Sequence, residues 1–230
     1  MQRPIVTLPP AFLRVLNVDW DIDWRETSLG DFNEGTTRTQ FSGFPRWIGA
    51  PKVKLGRAQL GQWRAIRAMA QGRRGIYRIR MDDPAVFPIS ATGAGGTVIA
   101  QGKPSAAGNL FTNGRGWEYA PFALAAGDHA AGAEAIRVDV TSCNGFVPVV
   151  GQIMSHASWP FQVTYVRARG GAVFELGVQM PLRAAIAQGD ILQLRGVGVF
   201  EAAESGMGRI DYDRSHRAMP ELRFMEVPGR

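Results

Sequence analysis

Residues 55–84 read LGRAQLGQWRAIRAMAQGRRGIYRIRMDDP, and the spacing of apolar residues changes inside this stretch. Leu60, Trp63, Ile66, Arg67 and Ala70 recur at helical spacing, while Arg57, Arg64 and Gln71 fall away from them. That pattern predicts an amphipathic helix over 57–71, with Gly72 as its stop. From Gly75 the period drops to two. Tyr77, Ile79 and Met81 then take one face of a strand, and Arg78 and Arg80 take the other. Asp82, Asp83 and Pro84 close the unit. Apart from Arg67, the arginines on both elements fall on the face that is not apolar, so they either face water or grip something acidic.

Working outward, glycine and proline punctuate the chain at short intervals, and Val, Ile, Phe and Trp fill the runs between them. This is the pattern of a mainly β protein. In residues 10–26, Val18, Trp20, Ile22 and Trp24 alternate with Asn17, Asp19, Asp21 and Asp23, which predicts a strand with one wet face. Residues 36–47 read as a turn, a short strand and another turn, and 51–55 (PKVKL) alternate again. Residues 91–116 are glycine-rich and low in bulk. They predict a linker with one short strand at 97–101, and they mark the expected domain boundary. Strands are expected at 133–141, 161–168, 172–176, 191–195 and 197–200, a single helical turn at 183–187, and a closing strand at 221–227. Gly170-Gly171 can take the positive φ of a tight hairpin turn. FALAAGDHAAG and MPLRAAIAQGDILQL echo each other, each reaching a Gly-Asp pair at Gly127-Asp128 and Gly189-Asp190. Aspartate in such a turn bonds nearby backbone amides.

The chain has 230 residues, a net charge of +6 and one cysteine. A chain of this length buries about 70–75% of its unfolded surface and needs no covalent staples. One cysteine, Cys143, permits no intramolecular disulfide, which fits a reducing compartment or a particle assembled in one. The opening residues carry no signal-peptide pattern, and no apolar run is long enough to span a membrane. The positive charge invites a nucleic-acid reading. However, only three of the 26 basic residues are lysine. With 28 glycines and many alanines, this points to a coding bias that supplies arginine without functional demand. The arginines are also spread along the whole chain, whereas a strong DNA binder gathers charge on one face.

Signatures of catalysis are missing. His129, His156 and His216 are far apart in sequence, and no HxH, HExxH or CxxC occurs. Asp19, Asp21 and Asp23 line one strand face, but a calcium loop also needs a turn with a backbone carbonyl ligand. Cys143 has no histidine motif beside it, and no GxSxG is present. The glycines of ATGAGGTVIA lack a following helix, so they do not read as a dinucleotide cradle. The expectation is a protein that is not an enzyme, with no catalytic, metal or cofactor site. Trp117, Tyr119, Trp159 and Phe161 are aromatic residues at expected loop edges. Of these, Trp117 and Trp159 are the candidates for stacking on a sugar.

The order of segments resembles the tail proteins of long-tailed bacteriophages. The likeness runs through GFPRW, PKVKL, the helix AQLGQWRAIRAMAQGRRG and the strand IYRIRMDDP. It continues in GNLFTNGRGWEYAPFALAAGDHA, in QMPLRAAIAQGDILQL and in ELRF. It covers the chain from about Arg38 to Phe224, and the layout is most similar to a distal tail protein. That resemblance implies a β-sandwich with one amphipathic helix, which forms a hexameric ring, and a second small β domain outside it. On this reading residues 1–92 form the ring-forming sandwich, 93–198 the second domain (barrel or sandwich), and 199–230 a closing segment that returns to the first domain.

The resemblance also implies a structural virion protein at the tail tip, assembled in the host cytoplasm. Its partners are itself, the tail tube protein and the tail hub or baseplate protein, with DNA only as passing cargo. Arg64, Arg67, Arg73, Arg74, Arg78 and Arg80 would then face acidic residues of the next subunit. Asp19, Asp21, Asp23, Asp82 and Asp83 are the matching candidates. Another minor tail protein, or a carbohydrate-binding module that docks to a host-surface glycan, is the alternative. A glycan binder loses its ligand on Trp117→Ala or Trp159→Ala, and a nucleic-acid binder shows a steep salt dependence.

Overall fold

The structure is a computed structural model that describes residues 3–9, 15–17, 19–31, 37–40, 44–81, 83, 85–86, 105, 107–114, 121–143, 146–211, 214 and 216–228. Among the described residues the chain is mainly β with one α-helix, and it divides into two compact units. The first comprises Met1–Ile79 and Val199–Arg230, and the second Arg80–Gly198. Most of the glycine-rich stretch 91–116, including the strand expected at 97–101, lies outside the described residues.

The first unit holds β1 (Ile5–Thr7), β2 (Val15–Asn17), β3 (Trp20–Asp23), β4 (Thr27–Asp31), β5 (Thr37–Gln40), β6 (Arg46–Gly49), β7 (Lys52–Val53), α1 (Arg57–Ala70) and β8 (Ile76–Arg80). β15 (Val197–Ala202), which starts in the last two residues of the second unit, and β16 (Phe224–Glu226) bring the chain back to the first. Six of these strands make one sheet in the order β1-β8-β15-β16-β6-β3, while β2 pairs with β7 and β4 with β5. Trp20, Tyr77, Phe200 and Phe224 form an aromatic cluster, with Trp20 and Phe200 rings 4.9 Å apart and Tyr77 set edge-on to Phe224 at 5.5 Å. Trp20 is also paired across the ladder with Gly49, and its ring occupies the space that a Cβ on Gly49 would need.

The alternation expected around Trp20 holds for Ile22, which is buried, but stops at Asp23. Asp23 Oδ1 accepts the Arg25 N–H at 3.0 Å, and Arg25 takes φ 52. The chain turns there, so Trp24 ends 40% exposed rather than on the apolar face. Val18 lies outside the described residues.

Helix α1 forms where the period predicts it and buries Leu60, Trp63, Ile66 and Ala70. Arg67, grouped with them by spacing, is only half-buried. Each fully buried large side chain on this face contributes roughly 1.5–3 kcal/mol. At the start, the Gln59 side chain accepts the Gly56 N–H at 3.0 Å, satisfying a donor the helix itself cannot. At the end the expected stop is displaced by one residue. Gln71, with φ 51, is the left-handed cap, and its N–H reaches the carbonyls of Arg67 and Ala68. Gly72 also has positive φ, but it opens a 3-10 turn, Gly72–Arg74, that leads into β8. In β8 the inward set is larger than period two predicts, because Ile76 is buried along with Tyr77, Ile79 and Met81.

The second unit contains β9 (Phe122–Ala125), β10 (Ala135–Asp139), β11 (Ile153–His156), β12 (Trp159–Gly170), β13 (Val173–Gln179) and β14 (Ile191–Gln193). They close into a six-stranded barrel in the order β10-β13-β12-β11-β14-β9. The interior is filled by alternate residues, among them Ala123, Ala125, Ile136, Val138, Met154, Phe161, Val163, Leu176, Val178 and Leu192. The β12–β13 hairpin forms where two glycines meet, though Gly170 itself pairs with Val173 and the loop residues are Gly171 and Ala172. Two register shifts bend β12, one between Val163 and Tyr165. Beside that shift, the Tyr165 ring lies over Gly177, where any Cβ would collide with it. The helical turn expected at 183–187 is not formed. Ile186 is instead bridged to His129, with both backbone hydrogen bonds made at 2.8 and 2.9 Å.

Candidate functional site

The six candidate arginines lie on α1, the 3-10 turn and β8. Arg64 is exposed and Arg67 half-buried on the helix, and Arg73, Arg74 and Arg78 are exposed. Arg80, which falls in the second unit, is half-buried. Part of this set has work inside the fold. Arg3 donates to the carbonyls of Arg74 and Arg73 at 3.0 and 3.2 Å and to Glu201 Oε2 at 2.7 Å, fastening the turn after the helix. Arg74 Nη1 donates to Gln71 Oε1 at 2.8 Å. Arg78 projects outward from β8, between the buried Tyr77 and Ile79.

The aspartates divide in the same way. Asp23 Oδ2 accepts from Arg46 Nε at 3.1 Å, so this carboxylate is engaged within its own unit. Asp83 Oδ1 caps the N–H groups of Ala85 and Val86, and Asp21 Oδ1 accepts the Ile22 N–H. Asp19 and Asp21 are exposed. Asp82 and Trp117 lie outside the described residues. Trp159 is half-buried at the β11–β12 turn, where Ala157 and Ser158 both have positive φ. The space beside it is about 10 Å³, the size of a single water site.

The echoing Gly-Asp turns come together in the barrel unit. Asp190 Oδ2 accepts the Ala187 N–H at 2.9 Å, as the turn chemistry predicts. Asp128 does otherwise: its Oδ1 accepts the Gln188 N–H of the second turn at 2.8 Å. His156 Nε2 is 3.2 Å from Asp190 Oδ2. On the barrel's outer wall, Glu175 Oε2 accepts from Arg169 at 2.6 Å, which with the nearby Arg167 holds its carboxyl below the usual range. Cys143 is fully buried, and its thiol donates to the Phe122 carbonyl at 2.9 Å. Burial first, and the charge of Asp139 second, push its pKa up to about 11, so the thiol keeps its proton at neutral pH. Among the described residues no group of three His, Cys, Asp or Glu side chains is placed to hold a metal ion, and no helix is long and apolar enough to cross a membrane.

Two cavities in the first unit stand out, and neither was legible from residue spacing. One, of about 370 Å³, lies between residues 50–53 and 219–223. One antiparallel register joins Met225 to Ile48, Phe224 to Gly49 and, farther along, Leu55 to Ala218. Leu55 and Ala218 exchange both hydrogen bonds, at 2.9 and 3.1 Å. Bonded rungs recur every second residue, so the next two would pair Val53 with Pro220 and Pro51 with Leu222. Each of these rungs contains a proline and has lost a donor. The two strands part there, and the cavity is the gap. The other cavity, of about 280 Å³, lies between α1 and residues 202–207, with Arg64, Arg67 and Tyr77 in its wall.

No family model matches the chain, and no curated protein matches it at a significant level.

Proposed function

We propose that this chain is a structural protein of a long-tailed phage, forming a ring at the distal end of the tail between the tail tube and the hub or baseplate. One observation carries the reading. A unit whose described residues are mainly β with a single helix is interrupted after Ile79 by a closed six-stranded barrel and resumes at Val199. A ring-building domain with a second small β domain inserted into it is the layout that the sequence resemblance implies. On this reading the six-stranded sheet and the shorter sheets of the first unit act as the ring-forming sandwich. The barrel is then the outer domain at the tail tip of the virion.

The chemistry of the first unit supports surface contact as the work of the protein. Arg78 stands exposed on β8 and Asp19 and Asp21 stand exposed at β3, with few bonds to hold them inward. Tyr77 and Trp20 share the aromatic face of the six-stranded sheet, so Arg78 and Asp21 share the other, toward opposite edges. Opposite charges at two ends of one subunit favour head-to-tail association, and closed rings follow when the rotation closes. Such pairs fix register and partner choice more than they add affinity. Asp23 is the weaker candidate for a contact of this kind, because it already holds Arg46. The test is the mass of the purified protein in solution. The ring predicts a species near six times 25.0 kDa, either alone or on addition of tail tube or hub protein.

A further inference from the structure

We propose that the cavity between α1 and residues 202–207 is a binding site for a carboxylate. Tyr77 carries the argument. It is only 2% exposed, and it lines this cavity. Buried tyrosine hydroxyls normally have a hydrogen-bond partner. The Tyr77 hydroxyl is not among the buried polar atoms left without a partner, so it opens onto the cavity, where water or a ligand meets it. The ring itself is held by the edge-on contact with Phe224. Burial raises the phenol's pKa and the charge of Arg67 lowers it again, so the group is a donor at neutral pH and Arg67 is close enough to act on it.

Arg64 and Arg67 lie one helical turn apart and both line the cavity. Arg67 Nη2 reaches the Gly206 carbonyl at 3.4 Å, which draws the guanidinium toward the 202–207 side. A planar guanidinium presents paired donors that match the two oxygens of a carboxylate. Glu204 also lines the cavity, but its Oε1 is held by Arg223 Nη1 at 3.1 Å. With Arg64 engaged by a partner of its own and Glu204 held by Arg223, Arg67 is the cation left to a ligand, and one positive charge suits one carboxylate better than a doubly charged phosphate. The cavity of about 280 Å³ admits such a group and a short stem. The carboxylate is either a free small acid or an acidic side chain of a second copy of this chain.

The full-length protein is titrated with sodium acetate at constant ionic strength, and arginine Nε–Hε NMR signals are followed. The expected result is saturable binding at about millimolar to tens of millimolar acetate, the range that four heavy atoms allow. Tyr77→Phe keeps the ring on Phe224 and is expected to weaken binding about tenfold, the scale of one hydrogen bond to a charged group. Arg67→Gln is expected to abolish saturation, and Arg217→Gln, an exposed control, to leave it unchanged. Mass photometry with and without acetate separates the sources. Loss of larger species in acetate assigns the site to a neighbouring copy's side chain, and no change assigns it to a free acid. Equal acetate binding by wild type and Tyr77→Phe, or no saturation beyond the effect of salt, overturns the proposal. Its outcome is independent of the ring, because a strictly monomeric protein can still bind acetate.

Discussion

Gly206 and Gly208 both adopt positive φ, at 83° and 69°, yet they are held there by different surroundings. A Cβ on Gly206 meets nothing within 4 Å, whereas one on Gly208 collides with the Trp63 ring. The Gly208 carbonyl also accepts the Trp63 Nε1–H at 2.7 Å. Gly206→Ala is therefore expected to cost about 1–2 kcal/mol, the left-handed backbone alone. Gly208→Ala adds overpacking against the helix and is expected to cost about 2–4 kcal/mol. Urea denaturation of the two variants checks the ordering. At Cys143 the sign of a pH effect follows from burial. The folded thiol keeps its proton to about 11, while an unfolded thiol loses it near 9.0. Between those values the unfolded state binds fewer protons, so stability falls as pH rises. Denaturation midpoints should drop from pH 9 toward 11 in the wild type, and drop less in Cys143→Ala. A thiol reagent should label Cys143 only as the barrel opens.

At the scale of single elements, what could be read beforehand was what local spacing fixes. Helix α1 was legible because Leu60, Trp63, Ile66 and Ala70 share one stripe and Pro and Gly are absent from its interior except Gly61. Its end was misplaced by one residue because the backbone bonds to Arg67 and Ala68, not the glycine, decided which residue turned left-handed. The β12–β13 hairpin was legible from its two glycines, but its length was not, since the bulge beside Tyr165 depends on the ring lying over Gly177. FALA was absorbed into a Gly-Asp turn, although its four residues form β9 and help to close the barrel. The gap at Pro51 and Pro220 was likewise hidden, because it arises only when two distant segments share a register. Restoring one donor tests that account. In Pro220→Val the new amide at 220 can donate to the Val53 carbonyl and complete the rung, so that amide should be protected from hydrogen exchange, the Val53 amide should gain protection with it, and the gap should narrow. Unchanged exchange at Val53 would mean that something other than the missing donor parts the strands.

On the scale of the whole molecule, strand types were legible and their pairing was not. Closure of the barrel requires β9 to bond both β10 and β14, a condition that no local spacing encodes. The candidate arginines and aspartates were visible as charged residues on polar faces. Their burden was not, since Asp23 is taken by Arg46 and the turn at Arg73 and Arg74 is fastened by Arg3. The exposed Arg78 is thus the sharpest probe of assembly. Arg78→Glu is expected to shift any ring toward monomer at least about tenfold in concentration, while circular dichroism and melting stay near wild type. Unfolding of that variant would place Arg78 in the fold instead. The most direct measurement is the solution mass of the full chain by light scattering, at micromolar concentration with and without tail tube or hub protein. The ring account predicts a discrete species near six times 25.0 kDa in at least one of these conditions. A monomer of 25.0 kDa under all of them would contradict it.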